Sequence, residues 1–123
     1  MDIEKAFKIV LDCSFKIHSE LGPGLLESVY EHCLFHELTK SGLVVYQQKP
    51  VPLVYKEVKL ETGYRIDLYV ENKIVIEVKS IEALANIHLA QVLTYLRLSE
   101  SKLGLLVNFN VLHLKDGIKR VIL

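Results

Sequence analysis

The sequence predicts an α/β protein with a mixed central β-sheet flanked by helices. Three observations predict this class: two helical patterns open the chain, several strands rich in Val and Tyr follow, and a third helical pattern precedes the last strands. The chain has 123 residues, of which 50% are hydrophobic and 24% are charged. That length and composition are typical of one globular domain, which we expect to span residues 1–123.

Apolar residues at three- and four-residue spacing predict helices over residues 3–21 and from Leu25 to about Lys40. Gly22-Pro23-Gly24 ends the first helix, and Ser41-Gly42 ends the second. The stripe expected to be buried on the second helix consists of Leu26, Val29, Tyr30, Cys33, Leu34 and Leu38. A third helix over residues 84–98 is apolar on most sides, so we expect it to be largely buried.

The strands follow the second helix and flank the third. Residues 43–62 predict one or two strands, and Pro50 and Pro52 indicate a sheet edge or a bulge there. Residues 64–70, 74–79 and 103–109 predict further strands. Residues 111–114 and 118–122 are expected to form a closing hairpin around Lys115-Asp116-Gly117.

Residues 64–79 carry the most informative pattern. Placing their alternating aliphatic residues on one face pairs Val70 with Ile74, and Asp67 then lies opposite Glu77. The aliphatic residues are Ile66, Leu68, Val70, Ile74, Ile76 and Val78. Two like charges about 4 Å apart cost about 4 kcal/mol at an effective dielectric of 20. Exposure, a proton, a lysine such as Lys79 or a divalent cation could offset that cost, and oxygen ligands suit Mg²⁺ or Mn²⁺.

A solvated sheet face with incidental charges is the alternative interpretation of this hairpin. Polar residues on the helices favour a cleft instead. Glu27 lies one turn before Tyr30, and Gln91 lies between His88 and Tyr95 on the apolar third helix. A polar residue on a buried helix needs a partner, which a cleft at the polar face of the sheet would supply.

These residues resemble the PD-(D/E)XK nuclease superfamily, and its small GxxExxY-type proteins in particular. Residues 24–30 match the GxxExxY motif, and Asp67 followed by Glu77-Val78-Lys79 matches the D…ExK core, with Ile66 in the place of the motif's proline. The helix with His88, Gln91 and Tyr95 and the strand with Gly104 and Asn108 extend the match. The resemblance covers about residues 22–109.

This resemblance implies a restriction-endonuclease-like core, α-β-β-β-α-β, and phosphodiester hydrolysis by a metal-activated water. Asp67, Glu77 and the Val78 carbonyl would hold Mg²⁺ or Mn²⁺. Lys79 would orient or activate the water and stabilise the developing charge. Glu27 would support the metal, and Gln91 would position Lys79 or the water. The expected substrate contacts are Arg65, Tyr30, His88 and Tyr95.

The expected partner is nucleic acid, DNA in preference to RNA, and a homodimer is a candidate assembly. We expect no membrane association and a cytoplasmic location, because the start is acidic and no apolar run reaches the roughly 18 residues of a spanning helix. The formal net charge of zero argues against binding of nucleic acid through the overall charge of the protein, but it is compatible with local basic patches. The alternative function is a catalytically inactive module that binds nucleic acid or a protein partner.

Two other groups of residues could serve in binding, one as zinc ligands and one as base-stacking residues. His32 and His36 have a spacing that can bind zinc, but the glutamate of an HExxH motif is missing, so a partly exposed helix face is favoured. Tyr46, Tyr55, Tyr64 and Tyr69 could stack on bases, although tyrosines in strands are more often half-buried.

Overall fold

The structure is a computed structural model that describes residues 1–61 and 63–123. Its helices are α1 (Ile3–Leu21), α2 (Glu27–Lys40), α3 (Asn86–Ser99) and a 3₁₀ helix (Leu114–Gly117). Its strands are β1 (Val45–Pro50), β2 (Leu53–Tyr55), β3 (Val58–Leu60), β4 (Arg65–Val70), β5 (Ile74–Lys79), β6 (Leu103–Asn108) and β7 (Ile118–Ile122). In these residues no helix is both long and apolar enough to cross a bilayer.

Five strands form one mixed sheet in the order β1-β4-β5-β6-β7. Strands β5 and β6 are parallel, and the other neighbouring pairs are antiparallel. Helix α3 connects the two parallel strands, as a parallel connection requires a crossover. Strand β1, which ends at Pro50, lies at the sheet edge as predicted. Strands β2 and β3 form a separate two-stranded hairpin.

Apolar residues fill a layer on each face of this sheet. One cluster joins α1 and α2 to the sheet through residues such as Phe7, Leu34 and Ile76. The other joins α3 to the opposite face and includes Val92, Leu96 and Leu106. This arrangement confirms the predicted mixed sheet flanked by helices, with the order of a restriction-endonuclease-like core.

The predicted register of the β4–β5 hairpin is confirmed. Val70 pairs with Ile74 and Leu68 pairs with Ile76, so continuing the register places Asp67 opposite Glu77. The turn has positive φ at Glu71 and Asn72, as a type I′ turn requires. One of the six aliphatic residues was assigned wrongly: Ile66 packs in the α3-side cluster. The regular β4–β5 pairs end at Leu68–Ile76, so the alternation of faces is interrupted before Ile66.

Helices α2 and α3 are less buried than predicted. Leu26 is 73% exposed and Val29 is also exposed, whereas Tyr30, Leu34 and Leu38 are buried. Leu26 precedes the first turn of α2, where the chain has not yet reached the core. On α3 only Val92, Tyr95 and Leu96 are fully buried, because the helix packs one face on the sheet and turns the other outward.

The predicted closing hairpin is also wrong. Residues 111–113 form no strand, and β7 pairs with β6 instead. A Cβ on Gly117 would lie 2.1 Å from the carbonyl oxygen of Asn108, so the chain passes very close to the end of β6. A 3₁₀ turn at residues 114–117 accommodates that approach, whereas a strand partner for residues 111–114 does not form.

Candidate active site

The two facing carboxylates of the β4–β5 hairpin replace ladder hydrogen bonds. The backbone N–H of Asp67 donates to Glu77 Oε2 over 2.9 Å, and the N–H of Val78 donates to Asp67 Oδ2 over 2.9 Å. Each carboxylate therefore accepts a hydrogen bond from a backbone N–H of the other strand. These contacts explain why the regular pairing stops at Leu68–Ile76: side-chain oxygens take donors that would otherwise face carbonyl groups.

Burial makes both of these carboxyl groups difficult to ionise. Glu77 is 4% exposed. Its pKa is raised to about 8, chiefly by desolvation and then by the charge of Asp67, while Lys79 acts in the opposite direction. Desolvation also raises the pKa of Asp67, to about 6, with Glu31 and Glu27 adding to the effect. A cluster of carboxylates that resists ionisation is a site that a cation would stabilise.

Helix α2 brings two glutamates to this cluster. Glu27 begins the helix, and Glu31 lies one turn later on the same face. Both raise the pKa of Asp67 through their charge, and both line a cleft of about 850 Å³ with Asp67. Glu27 therefore lies in one cleft with Asp67, whereas Gln91, expected in the same cleft, does not line it. Glu31 was missed, although its spacing of four residues from Glu27 was a usable signal.

The loop before α2 is fixed by Tyr30. Its hydroxyl donates to the Gly22 carbonyl over 2.5 Å and accepts from the Leu25 N–H over 3.1 Å. Tyr30 is completely buried and its ring stacks on Phe109 with centroids 4.5 Å apart. A side chain held in this way cannot reach a substrate, so the predicted substrate contact at Tyr30 is replaced by a structural role.

The end of β5 is tied to the same loop. Ser80, which follows Lys79, donates its hydroxyl proton to the Leu25 carbonyl over 2.6 Å. The Phe109 N–H donates to the Lys79 carbonyl over 2.9 Å. These bonds hold the start of α2 beside the last residues of β5, and so they set the position of Glu27 relative to Glu77.

Two glutamines of β1 bind Glu31, and one of them, Gln48, also binds Asp67. Gln47 donates to Glu31 Oε2 over 2.8 Å. Gln48 donates to both Glu31 oxygens, at 2.9 and 3.0 Å, and to Asp67 Oδ1 at 3.2 Å. Gln48 has a φ of 55°, a left-handed conformation that is costly for a residue other than glycine. This conformation accompanies an amide that bridges two carboxylates. No motif in the sequence indicated a role for either glutamine.

Two cationic residues, Arg65 and Lys79, lie near the carboxylate cluster. Arg65 is exposed and donates to the Gln48 carbonyl over 3.0 Å, which places it beside the bridging glutamine. Lys79 is partly buried at the end of β5, and its charge lowers the pKa of Glu77. Val78, between Glu77 and Lys79, uses its N–H to bind Asp67.

The residues predicted on α3 line a different cavity. Gln91 donates to the Tyr95 hydroxyl over a long 3.4 Å. With His88 they border a groove of about 420 Å³ that Leu53 and Tyr64 line from the other side. His88 Nδ1 accepts from the Ala85 N–H over 2.9 Å, which closes the start of the helix. The pKa of Tyr95 is raised, chiefly by desolvation and then by the charges of Glu77 and Asp67. Tyr95 therefore lies within electrostatic range of the carboxylates.

A family model described as the PD-(D/E)XK nuclease superfamily matches residues 4–121, almost the whole chain. The chain belongs to the PD-(D/E)XK nuclease superfamily. Members of this superfamily are generally nucleases and typically use divalent metal ions. Comparisons with curated proteins and with solved structures gave no significant match.

The donor chemistry of the site fits the divalent ions that PD-(D/E)XK nucleases use. In residues 1–61 and 63–123 no three His, Cys, Asp or Glu side chains are already grouped as a metal cage. Mg²⁺ does not need such a cage, since it keeps several waters and binds through one or two carboxylates. Asp67 and Glu77 supply two buried carboxylates. Hard oxygen donors of this kind suit Mg²⁺ or Mn²⁺ rather than a soft metal.

Proposed function

We propose that this PD-(D/E)XK protein hydrolyses phosphodiester bonds in DNA with the help of Mg²⁺ or Mn²⁺, and that residues 1–123 act as one domain in the cytoplasm. The observation that carries the proposal is the Asp67–Glu77 pair, in which two desolvated carboxylates face each other and hold each other's strand by backbone hydrogen bonds. Repulsion and desolvation oppose ionisation of both groups, and a divalent cation would relieve them.

In this proposal Asp67, Glu77 and the Val78 carbonyl hold the cation. The chemistry supplied by bound Mg²⁺ or Mn²⁺ is a lowered water pKa and neutralisation of charge on the phosphate. Glu27 lies in the cleft with Asp67 and supports the ion or its waters from α2. Glu31, buried and bonded to both glutamines, keeps Gln48 in contact with Asp67.

Lys79 is proposed to orient the attacking water and to stabilise the negative charge that develops on the phosphate. Its charge already acts on Glu77, which supports a place near the reacting groups. Arg65 is proposed to contact a phosphate of the substrate. His88 and Tyr95 are proposed to contact the substrate from the α3 side, and Gln91 is proposed to position Lys79 or the water. The charges of Glu77 and Asp67 act on Tyr95, which supports a place for it near the carboxylates.

A second candidate function is a non-catalytic module that binds nucleic acid or a protein partner. One observation favours it: both carboxylates are already engaged by backbone N–H groups of the facing strand. Such a module would tolerate the loss of Lys79, whereas the enzyme would not.

Incubation with linear, circular and single-stranded DNA in Mg²⁺ or Mn²⁺ tests the proposal. Cleavage that is lost in Lys79→Ala and kept in Lys73→Ala is the expected result. Lys73 is a matched control because it is exposed in the turn of the same hairpin. If no DNA form is cleaved by the wild type, the non-catalytic module is the better description. If both variants cleave as well as the wild type, the role proposed for Lys79 is wrong.

A further inference from the structure

Two pairs of a tyrosine and a lysine lie on the segment that precedes Asp67. Tyr46 is 42% exposed and Tyr55 is 64% exposed. The ammonium group of Lys49 lies 4.6 Å from the centre of the Tyr46 ring, and that of Lys56 lies 5.5 Å from the centre of the Tyr55 ring. We define the tyrosine–lysine strip as Tyr46, Lys49, Tyr55, Lys56, Lys59 and Arg65.

The strip is locally basic in a protein of zero net charge. Residues 43–66 hold four basic residues, all of them in the strip, and two acidic residues. No carboxylate in the described part of the chain forms a salt bridge with any of the four. Lys56, Lys59 and Arg65 are exposed and Lys49 is partly buried. Cations without an acidic partner complement an anionic ligand such as a phosphate backbone.

The strip is continuous with the candidate active site. The Val51 N–H donates to the Tyr64 carbonyl over 3.0 Å, which ties the base of the β2–β3 hairpin to the start of β4. Arg65 is the first residue of β4 and pairs with Pro50. It bonds the Gln48 carbonyl, and the Gln48 amide bonds Asp67. Arg65 and Gln48 therefore join the strip to the edge of the carboxylate cleft. Tyr46 and Lys49 pair with Tyr69 and Ile66, which pack toward α3, so a single strand that follows the strip would pass around the edge strand β1 to reach the carboxylates.

We propose that the tyrosine–lysine strip binds single-stranded nucleic acid and leads it to the carboxylates. The strip's role in delivering substrate rests on the proposed nuclease function, whereas its binding does not. Aromatic rings stack on unpaired bases while cations follow the backbone, and this combination is typical of single-strand binding. Paired bases in a duplex are already stacked on one another, so the exposed tyrosine rings would add little to duplex binding.

Four cations also limit the electrostatic part of the binding. Each neutralised phosphate of a single strand contributes about 0.7 to the slope of log K against log salt concentration, so the strip accounts for a slope of at most about 3. Salt dependence and stacking can thus be measured separately, because a lysine contributes to the salt dependence through its charge, whereas a tyrosine contributes only stacking.

The test is fluorescence anisotropy with a labelled oligothymidylate of about 20 nucleotides, longer than a typical single-strand site, and with a duplex of the same length. EDTA is present, so nothing is cleaved. Tyr55→Ala should weaken single-strand binding about five- to 150-fold, the equivalent of one lost base stack, and leave the salt slope unchanged. Lys56→Gln should reduce the slope by about 0.7. Tyr55→Phe, which keeps the ring, should bind like the wild type.

A matched control exists on α1. Phe15 and Lys16 are also an exposed aromatic residue followed by a lysine, but they lie outside the strip. The double variant Phe15→Ala/Lys16→Gln should bind oligothymidylate like the wild type, whereas Tyr55→Ala/Lys56→Gln should not. Melting curves check that each variant is folded, and the exposure of Tyr55 predicts that its loss is tolerated.

Three results would overturn the inference. One is equal loss of binding in the two double variants, and another is an equal loss for duplex and single strand in Tyr55→Ala. The third is a concentration-dependent dimer, measured by light scattering, that the strip variants abolish without changing nucleic-acid binding, since the strip would then be a self-association surface. Strip-dependent binding without cleavage in Mg²⁺ or Mn²⁺ would support the strip and count only against the nuclease function.

Discussion

The carboxylate of Glu77 lies 2.9 Å from the backbone nitrogen of Asp67, the residue that faces it across the β4–β5 hairpin. Asp67 in turn accepts from the N–H of Val78, so the two side chains are anchored to opposite strands. Truncation of either side chain would leave a partly buried N–H without its acceptor, which costs about 1–3 kcal/mol. Amide variants, which keep an oxygen acceptor and remove the charge, are therefore the informative substitutions.

Glu77 predicts an unusual pH dependence of stability in the metal-free protein. Its pKa rises from 4.5 to about 8 on folding, so between these values the folded state binds more protons than the unfolded state. The contribution of Glu77 is fully present below pH 4.5 and is lost as the pH rises through 8. Urea unfolding with EDTA should show wild-type stability falling relative to Glu77→Gln from pH 5.5 to 8.5. Glu20→Gln, at an exposed site, should follow the wild type, and a constant difference for Glu77→Gln would refute this account.

Gln48 predicts a separation of stability from activity. Its positive φ costs a non-glycine residue about 1–3 kcal/mol, and glycine adopts that conformation freely. Gln48→Gly should therefore be more stable than Gln48→Ala by about 1 kcal/mol or more in urea unfolding. Both variants should lose DNA cleavage to the same extent, because both remove the amide that bridges Glu31 and Asp67. Wild-type cleavage by Gln48→Gly would show that the bridge has no catalytic importance.

Tyr30 predicts an effect on stability without one on substrate binding. Tyr30→Phe keeps the stacked ring but removes the hydroxyl that serves Gly22 and Leu25. Losing these two hydrogen bonds should lower the free energy of unfolding by about 1–3 kcal/mol. The dissociation constant for DNA should stay unchanged in conditions where the variant is folded. A weakened affinity together with wild-type stability would restore Tyr30 as a substrate contact.

Sequence patterns predicted the parts of the site that depend on local periodicity. The alternation of aliphatic residues fixed the register of residues 64–79, because a slip by one residue would have exposed half of them. The same reasoning failed at Ile66, since the carboxylates of Asp67 and Glu77 take backbone donors and interrupt the ladder that alternation assumes.

Contacts between distant segments could not be predicted in the same way. Glu31 meets Gln47 and Gln48 only because α2 crosses beside β1, and nothing in the local pattern of the glutamines indicates that partner. Tyr30 matched a family motif, yet its complete burial depends on Phe109, which lies 79 positions later in the chain. The motifs therefore located the site, whereas the role of each residue within it depends on tertiary packing.

Thermal melting with and without Mn²⁺ at pH 8 tests most directly whether the Asp67–Glu77 pair is a divalent-metal site. An ion that binds only the folded state at a hundred times its dissociation constant adds about 2.7 kcal/mol of stability, which corresponds to a rise of several degrees in the melting temperature. We expect that rise in the wild type and in Asp116→Asn, an exposed aspartate changed in the same way, and almost none in Asp67→Asn. Equal rises in all three proteins would show that the ion binds elsewhere and would contradict the metal site on which the proposed nuclease activity depends.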